Sequence, residues 1–121
     1  MTRLYRTKYG YFDGERGEYV ITRPDTPRPW VNILSNGTYG MAISQAGSGY
    51  SWRDHAQFNR LTRWDQDLTR DNWGKYLYVR DDRTGRSWSP TPKPSNAPLK
   101  DYECRHGAGY TVISGRCEDI A

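Results

Sequence analysis

Seven prolines fall in two clusters, Pro24, Pro27 and Pro29, then Pro90, Pro92, Pro94 and Pro98, and they limit most strongly what this chain can fold into. A proline fixes φ, removes a backbone donor and pushes the residue before it out of the helical region. Neither cluster can be a helix or a central strand. Arg23-Pro24-Asp25-Thr26-Pro27-Arg28-Pro29-Trp30 reads as a rigid extended connector that sets the position of Trp30, with Arg23 and Arg28 solvated. The second cluster reads as an extended linker without a core of its own.

The remaining segments are short, alternate in polarity and end in turn residues. Tyr9-Gly10-Tyr11-Phe12 leads into an Asp13-Gly14 turn, and Glu18-Tyr19-Val20-Ile21-Thr22 alternates with a period of two. Val31-Asn32-Ile33-Leu34 and Tyr39-Gly40-Met41-Ala42-Ile43-Ser44 form a hairpin around Asn36-Gly37. Lys75-Tyr76-Leu77-Tyr78-Val79-Arg80, a turn over 81–85 and Arg86-Ser87-Trp88-Ser89 give the clearest hairpin. Tyr102 to His106 and Tyr110 to Ile113 flank Gly107-Ala108-Gly109 as a last pair, which leaves the sheet an open edge. A helical turn is expected only over Asp54 to Asp67, where Asp54 caps and Phe58, Leu61 and Trp64 recur every three residues. The fold class is all-β, an antiparallel β-sandwich spanning 1–121 as one domain.

Composition sets what the core is made of. Among 121 residues, Val, Ile, Leu and Phe number 17, against 5 Trp and 10 Tyr. The core must therefore use rings whose O–H and N–H groups need partners, and marginal stability follows, with a neighbouring domain or subunit completing the core. The net charge is +4, from 18 basic and 14 acidic residues spread along the chain, so no nucleic-acid stripe is present and no nucleic-acid partner is expected. The opening residues lack an apolar targeting core, and no run approaches the length of a membrane span. The expectation is a soluble, cytoplasmic chain without a membrane partner, with Cys104 and Cys117 as reduced thiols.

Gly47-Ser48-Gly49-Tyr50-Ser51-Trp52-Arg53-Asp54-His55 is the stretch richest in chemistry. Two glycines permit positive φ and close backbone approach, and the residues after them combine flat apolar rings with donors and acceptors. Such a surface suits a sugar, whose C–H faces stack on Tyr50 and Trp52 while its hydroxyls are met by polar groups. The alternative is a tight turn whose two rings simply enter the core. Asn59-Arg60-Leu61-Thr62-Arg63-Trp64, read as an irregular loop instead of the helical turn, would carry two guanidiniums beside the same rings.

No autonomous catalytic site is legible. Asp65 with Asp67 and Asp81 with Asp82 are carboxylate pairs, but they lie in polar loop sequence where solvated acids are the norm. Cys104, His106, Cys117 and His55 lack the paired spacing of a metal site, and Gly107-Ala108-Gly109 precedes a strand rather than a helix, unlike a phosphate-cradling loop. No catalytic residue, metal or cofactor is assigned.

Several ordered motifs together carry a family resemblance: Tyr9 to Asp13, Glu18 to Asn32, Gly47 to Trp52, Asn59-Arg60-Leu61-Thr62, Trp88-Ser89-Pro90, and Tyr102-Glu103-Cys104-Arg105-His106-Gly107-Ala108-Gly109-Tyr110-Thr111. They resemble the amino-terminal part of glycoside hydrolase family 94, the inverting disaccharide phosphorylases formerly grouped as glycosyltransferase family 36. A related region occurs in cyclic β-1,2-glucan synthases. The Gly47 and Asn59 motifs look closer to the glucan branch, whereas the Arg-Pro-Asp-Thr-Pro and Tyr-Glu-Cys-Arg-His-Gly runs look closer to the phosphorylases.

The resemblance implies the first half of a larger supersandwich, with the catalytic (α/α)₆ barrel and its acid outside these residues. It also implies a place in a dimer interface and in the acceptor-sugar end of an active site. Tyr50, Ser51, Trp52 and Arg53 are the carbohydrate-binding candidates by this match, joined by Asn59 and Arg60. Expected partners are a β-glucan or gluco-oligosaccharide, and a separate catalytic chain or a second copy. A free-standing carbohydrate-binding module and a structural or dimerisation fragment remain alternative readings.

Overall fold

The computed structural model describes residues 2–65, 67, 69–71 and 74–120. Among the described residues ten strands are formed: β1 Arg3–Leu4, β2 Gly10–Asp13, β3 Glu18–Ile21, β4 Val31–Ser35, β5 Tyr39–Ser44, β6 Gly49–Arg53, β7 Val79–Arg80, β8 Ser87–Trp88, β9 Lys100–Gly107 and β10 Tyr110–Arg116. Every pairing is antiparallel, in sheets ordered β1-β2-β3-β9-β10, β4-β5-β6 and β7-β8. The chain is all-β, as its punctuation requires.

Local chemistry fixes the hairpins. Asp13 Oδ1 accepts from the N–H groups of Glu15 and Arg16, so the turn after β2 is held by the side chain that starts it. Asn36 Oδ1 does the same for Thr38 and Tyr39 between β4 and β5. The pairing of β3 with β9 spans most of the sequence and sets Tyr19, Val20 and Ile21 opposite His106, Arg105 and Cys104.

On one face of the five-stranded sheet, Ile21, Tyr102 and Cys104 are buried, with Tyr19, Trp30, Leu99 and Ile113 packed against them. Trp30 meets Tyr9 and Tyr19 edge to face at centroid distances of 5.5 and 5.9 Å. The proline connector thus delivers one large ring to the core. The other face carries ions instead: Arg105 bonds to Glu18 at 2.8 Å and Glu103 at 2.5 Å and lies 3.6 Å from Asp13. Donation from the Tyr110 hydroxyl and, next, from Arg105 holds the Glu18 carboxyl below its usual range.

Hydrogen bonds join the two larger sheets. Gln45 accepts from Trp30 N and donates to the Pro24 carbonyl, while its own carbonyl accepts from the Tyr102 hydroxyl. Asn32 donates to the Gly107 and Tyr110 carbonyls and to Thr111 Oγ1. Since the Trp30 carbonyl can only accept, His106 Nε2 donates to it at 2.9 Å, and Nδ1 accepts from the Thr111 hydroxyl at 2.9 Å. Every member of that chain has a fixed direction.

Four expectations differ in detail. The 54–67 stretch holds a turn around Ala56 and no helix among the described residues, because His55 Nδ1 rather than Asp54 accepts the first free N–H groups, from Gln57 and Phe58; Gln66, inside that stretch, lies outside the described residues. The hairpin expected over 75–89 shrinks to two-residue strands. Arg23 is not merely solvated, for it makes two bonds to Asp25, of 2.9 and 2.6 Å. The second proline cluster is packed rather than free: Ser89 and Pro92 are buried, and Lys93 N donates to the Ala46 carbonyl.

Candidate carbohydrate-binding site

Most of the stretch from Gly47 is strand β6 rather than loop, and this decides which side chains can act together. Successive strand residues point to opposite faces. Register sets Tyr50 opposite Ala42 and Trp52 opposite Gly40 on one face, and Ser51 opposite Met41 and Arg53 opposite Tyr39 on the other. The platform face also bears Val31 and Ile33, and is turned away from the face through which Asn32 reaches the five-stranded sheet.

The two glycines do what their chemistry allows. Gly47 has φ +84° in the β5–β6 turn, and a Cβ there would fall 2.5 Å from Thr91. Gly49 has φ +151°, and a Cβ there would fall 1.9 Å from the Ala42 carbonyl oxygen. Only glycine lets β6 start so close to β5.

A third glycine seats the platform. A Cβ on Gly40 would lie 2.4 Å from two carbons of the Trp52 indole, so the ring lies flat across the bare backbone of β5. Tyr50 packs beside it at 5.1 Å, and Trp64 stacks on Tyr50 at 4.8 Å with the planes 18° apart. The three rings are all half-buried, neither sunk in the core nor fully free.

Arg60 completes the cluster. The segment after the turn runs beside β6, with Arg53 N bonding to Asn59 O, Leu61 N to Ser51 O and a bridge between Trp52 and Arg60. That register puts Arg60 on the aromatic face, 5.6 Å from the Tyr50 centroid and 5.7 Å from that of Trp64. Its Nε donates to Ala56 O and one terminal nitrogen to Trp64 O, so the guanidinium is held in place over the rings. Among the described residues its other N–H groups meet no acceptor and are left for water or a ligand.

The six candidates therefore divide. Tyr50, Trp52 and Arg60 form one surface with Trp64. Ser51 is buried on the opposite face, its N–H donating to Thr62 Oγ1 and its carbonyl accepting from Leu61. Arg53 also lies on that face, exposed and 3.6 Å from Asp54, and Asn59 contributes backbone bonds. A cavity of about 70 Å³ borders Ser51, lined also by Met41, Ile43, Thr62 and Lys75. Trp64 and Gly40 were not singled out by sequence reasoning as site residues. Trp64 follows Arg60 by four, and only the Trp52↔Arg60 bridge reveals that it returns over Tyr50.

Among the described residues outside this cluster, Cys104 and His106 are the nearest approach to a nucleophile and base. Cys104 Sγ lies 3.8 Å from the His106 ring, but both imidazole nitrogens are occupied and burial pushes the thiol up to about 12, which makes it a poor nucleophile. Among the described residues, no three His, Cys, Asp or Glu side chains are grouped to hold a metal ion. No helix of the described residues is long and apolar enough to cross a membrane.

The paired antiparallel sheets, with an aromatic platform beside a glycine-rich strand start, define an all-β sandwich. Residues 17–121 match the family model of the glycosyl hydrolase 94 supersandwich domain, and the chain belongs to that family. It is 44% identical over 113 residues to N,N'-diacetylchitobiose phosphorylase of Vibrio furnissii, covering 92% of this chain and 14% of that protein. It is 41% identical over 115 residues to 3-O-beta-D-glucopyranosyl-beta-D-glucuronide phosphorylase of Paenibacillus borealis, covering 93% and 14% respectively. To the cyclic beta-(1,2)-glucan synthase NdvB of Rhizobium meliloti it is 31% identical over 106 residues, covering 85% of this chain and 4% of that protein. The chain thus spans a small fraction of the length of these relatives.

Proposed function

We propose that this chain is the non-catalytic β-sandwich portion of a family 94 glycoside phosphorylase, presenting a sugar-stacking surface at the acceptor end of the active site. The carrying observation is the platform of Trp52, Tyr50 and Trp64 with Arg60 held over two of the rings. Three adjacent rings offer C–H/π contact to a sugar, and the remaining guanidinium N–H groups suit its hydroxyls. The parent reaction is reversible phosphorolysis of a β-glucoside, in which phosphate displaces the acceptor sugar and yields a sugar 1-phosphate. That chemistry belongs to a catalytic barrel, whether on the same polypeptide or on a separate chain. A role in dimerisation fits the exposed apolar residues Val31 and Ile33 beside the platform, 50 and 57% exposed. Activity in a soluble, cytoplasmic compartment goes with this reading.

A second reading is a carbohydrate-binding module acting without a barrel. It is favoured by the fact that every ring of the platform, and the glycine beneath it, belongs to this chain.

Titration with cello- and β-1,2-gluco-oligosaccharides, followed by Trp fluorescence, tests both. Saturable binding, weakened in Trp52→Ala and in Arg60→Gln, is the expected result. Binding that needs a barrel protein supports the split-site reading, and binding by the chain alone supports the module. A folded protein that responds in neither case leaves a structural piece and refutes both.

A further inference from the structure

A second cleft lies on the far side of the turn that starts β6. It encloses about 390 Å³ between the two proline clusters, with Ala46 and Gln45 among its lining residues, and Arg28, Arg70 and Lys93 also line it. This volume is within the range of small-molecule sites, about 300–1,000 Å³. Among the described residues, neither Arg28 nor Lys93 makes an ion pair. Arg70 lies 3.6 Å from Asp67, longer than a charge-assisted hydrogen bond of about 2.7–2.9 Å. The lining carries more positive than negative charge, three cations against Asp71, which favours entry of an anion.

Two of the three cations are placed by stiff backbone. Arg28 sits between Pro27 and Pro29, and its carbonyl accepts from Thr26 Oγ1 at 2.6 Å. Lys93 follows buried Pro92, its N–H bonds to the Ala46 carbonyl at 3.0 Å and its carbonyl accepts from Thr91 Oγ1. The one acid in the lining, Asp71, accepts from the Ser44 hydroxyl at 2.6 Å; burial moves its carboxyl toward the neutral form, opposed by the hydroxyls of Ser44 and Ser48 and by the Lys93 charge.

We propose that this cleft binds a phosphate group, free or esterified to a sugar, through Arg28, Arg70 and Lys93. Three cationic side chains from three separate segments suit a ligand with oxygens in several directions, whereas a planar carboxylate offers only two. The proposal is independent of the aromatic platform, which needs no anion.

The test is calorimetric titration of the purified protein at constant ionic strength with inorganic phosphate, glucose 1-phosphate, glucuronate and glucose. Saturable binding of phosphate, weakened about tenfold or more in Arg28→Gln and in Lys93→Gln, is expected, since hydrogen bonds to charged groups contribute about 1.5–3 kcal/mol. Tighter binding of glucose 1-phosphate identifies a sugar phosphate as the ligand, and equal affinity identifies the free ion; both support the site. Glucuronate binding as tightly as phosphate overturns the phosphate assignment. Heat that never saturates, or affinity unchanged in both variants, overturns the site itself. Arg28→Gln, lying outside the platform, leaves the response to neutral gluco-oligosaccharides unchanged, so failure here is separable from failure of the sugar platform.

Discussion

Replacing Gly40 with alanine tests how the platform is seated. The added methyl would fall 2.4 Å from Cε2 and Cζ2 of Trp52 and 2.7 Å from Nε1, against an ordinary carbon contact of about 3.5–4.0 Å. The indole must rise by about 1 Å, and a gap of that size forfeits roughly a quarter to a half of its contact energy with the sheet. Overpacking of this kind costs about 1–3 kcal/mol, while alanine in a strand regains about 0.5–1 kcal/mol over glycine. The net loss is about 1–2 kcal/mol, or a fall in Tm of roughly 4–10 °C for a domain of this size. Thermal unfolding followed by Trp fluorescence reads both the loss and the change in indole environment. In a Trp52→Ala background the same substitution becomes neutral or mildly stabilising, which gives a coupling energy of about 1–3 kcal/mol in the double-mutant cycle. Two effects that simply add, or a Gly40→Ala protein with raised Tm and an unchanged spectrum, would show that Trp52 does not rest on Gly40.

Three other outcomes follow from the same geometry. Gly49→Ala places a methyl 1.9 Å from a backbone oxygen at φ +151°, so β5 and β6 separate and the protein loses about 3 kcal/mol or more, read as loss of cooperative unfolding. Arg105→Gln lowers Tm at pH 7, and the deficit narrows below about pH 4.5: the depressed carboxyls of Glu18 and Asp13 contribute stability at higher pH and lose it as they protonate. Burial lowers the His106 pKa from 6.5, so the unfolded chain takes up the proton first and stability declines as pH falls below 6.5; melting curves from pH 7.5 to 5 flatten in His106→Gln.

The strands were legible because their signals are local. Asp13, Asn36 and the alternation in Glu18 to Ile21 act within a few residues, and the turns they predict are the turns that form. The pairing of β3 with β9 was not legible, since no residue of Tyr19 to Ile21 carries information about a partner more than eighty positions away. The site was half legible for a related reason. Gly49, Tyr50 and Trp52 announce a close backbone approach with rings after it, but the period of two that separates Ser51 and Arg53 from the rings appears only once the segment is known to be strand. Trp64 looked like one step of a helical repeat, yet it is brought to Tyr50 by a short antiparallel return that has no turn signature of its own.

The same turn, Gln45 to Ser48, joins everything that bears on function. Its Gln45 side chain clamps Pro24 and Trp30, and Ala46 receives Lys93 on the side of the cationic cleft. Gly47 and Gly49 then set the path that puts Tyr50 and Trp52 on the platform face. Ser44 Oγ accepts from Ala46 N and Ser48 N while donating to Asp71, which lines the cleft. Such a densely bonded turn has little freedom to relax, and its hydrogen bonds fix the place of each surface separately. The two surfaces are separate in chemistry but share one support, so a substitution within the turn disturbs both, whereas Arg28→Gln disturbs the cleft alone.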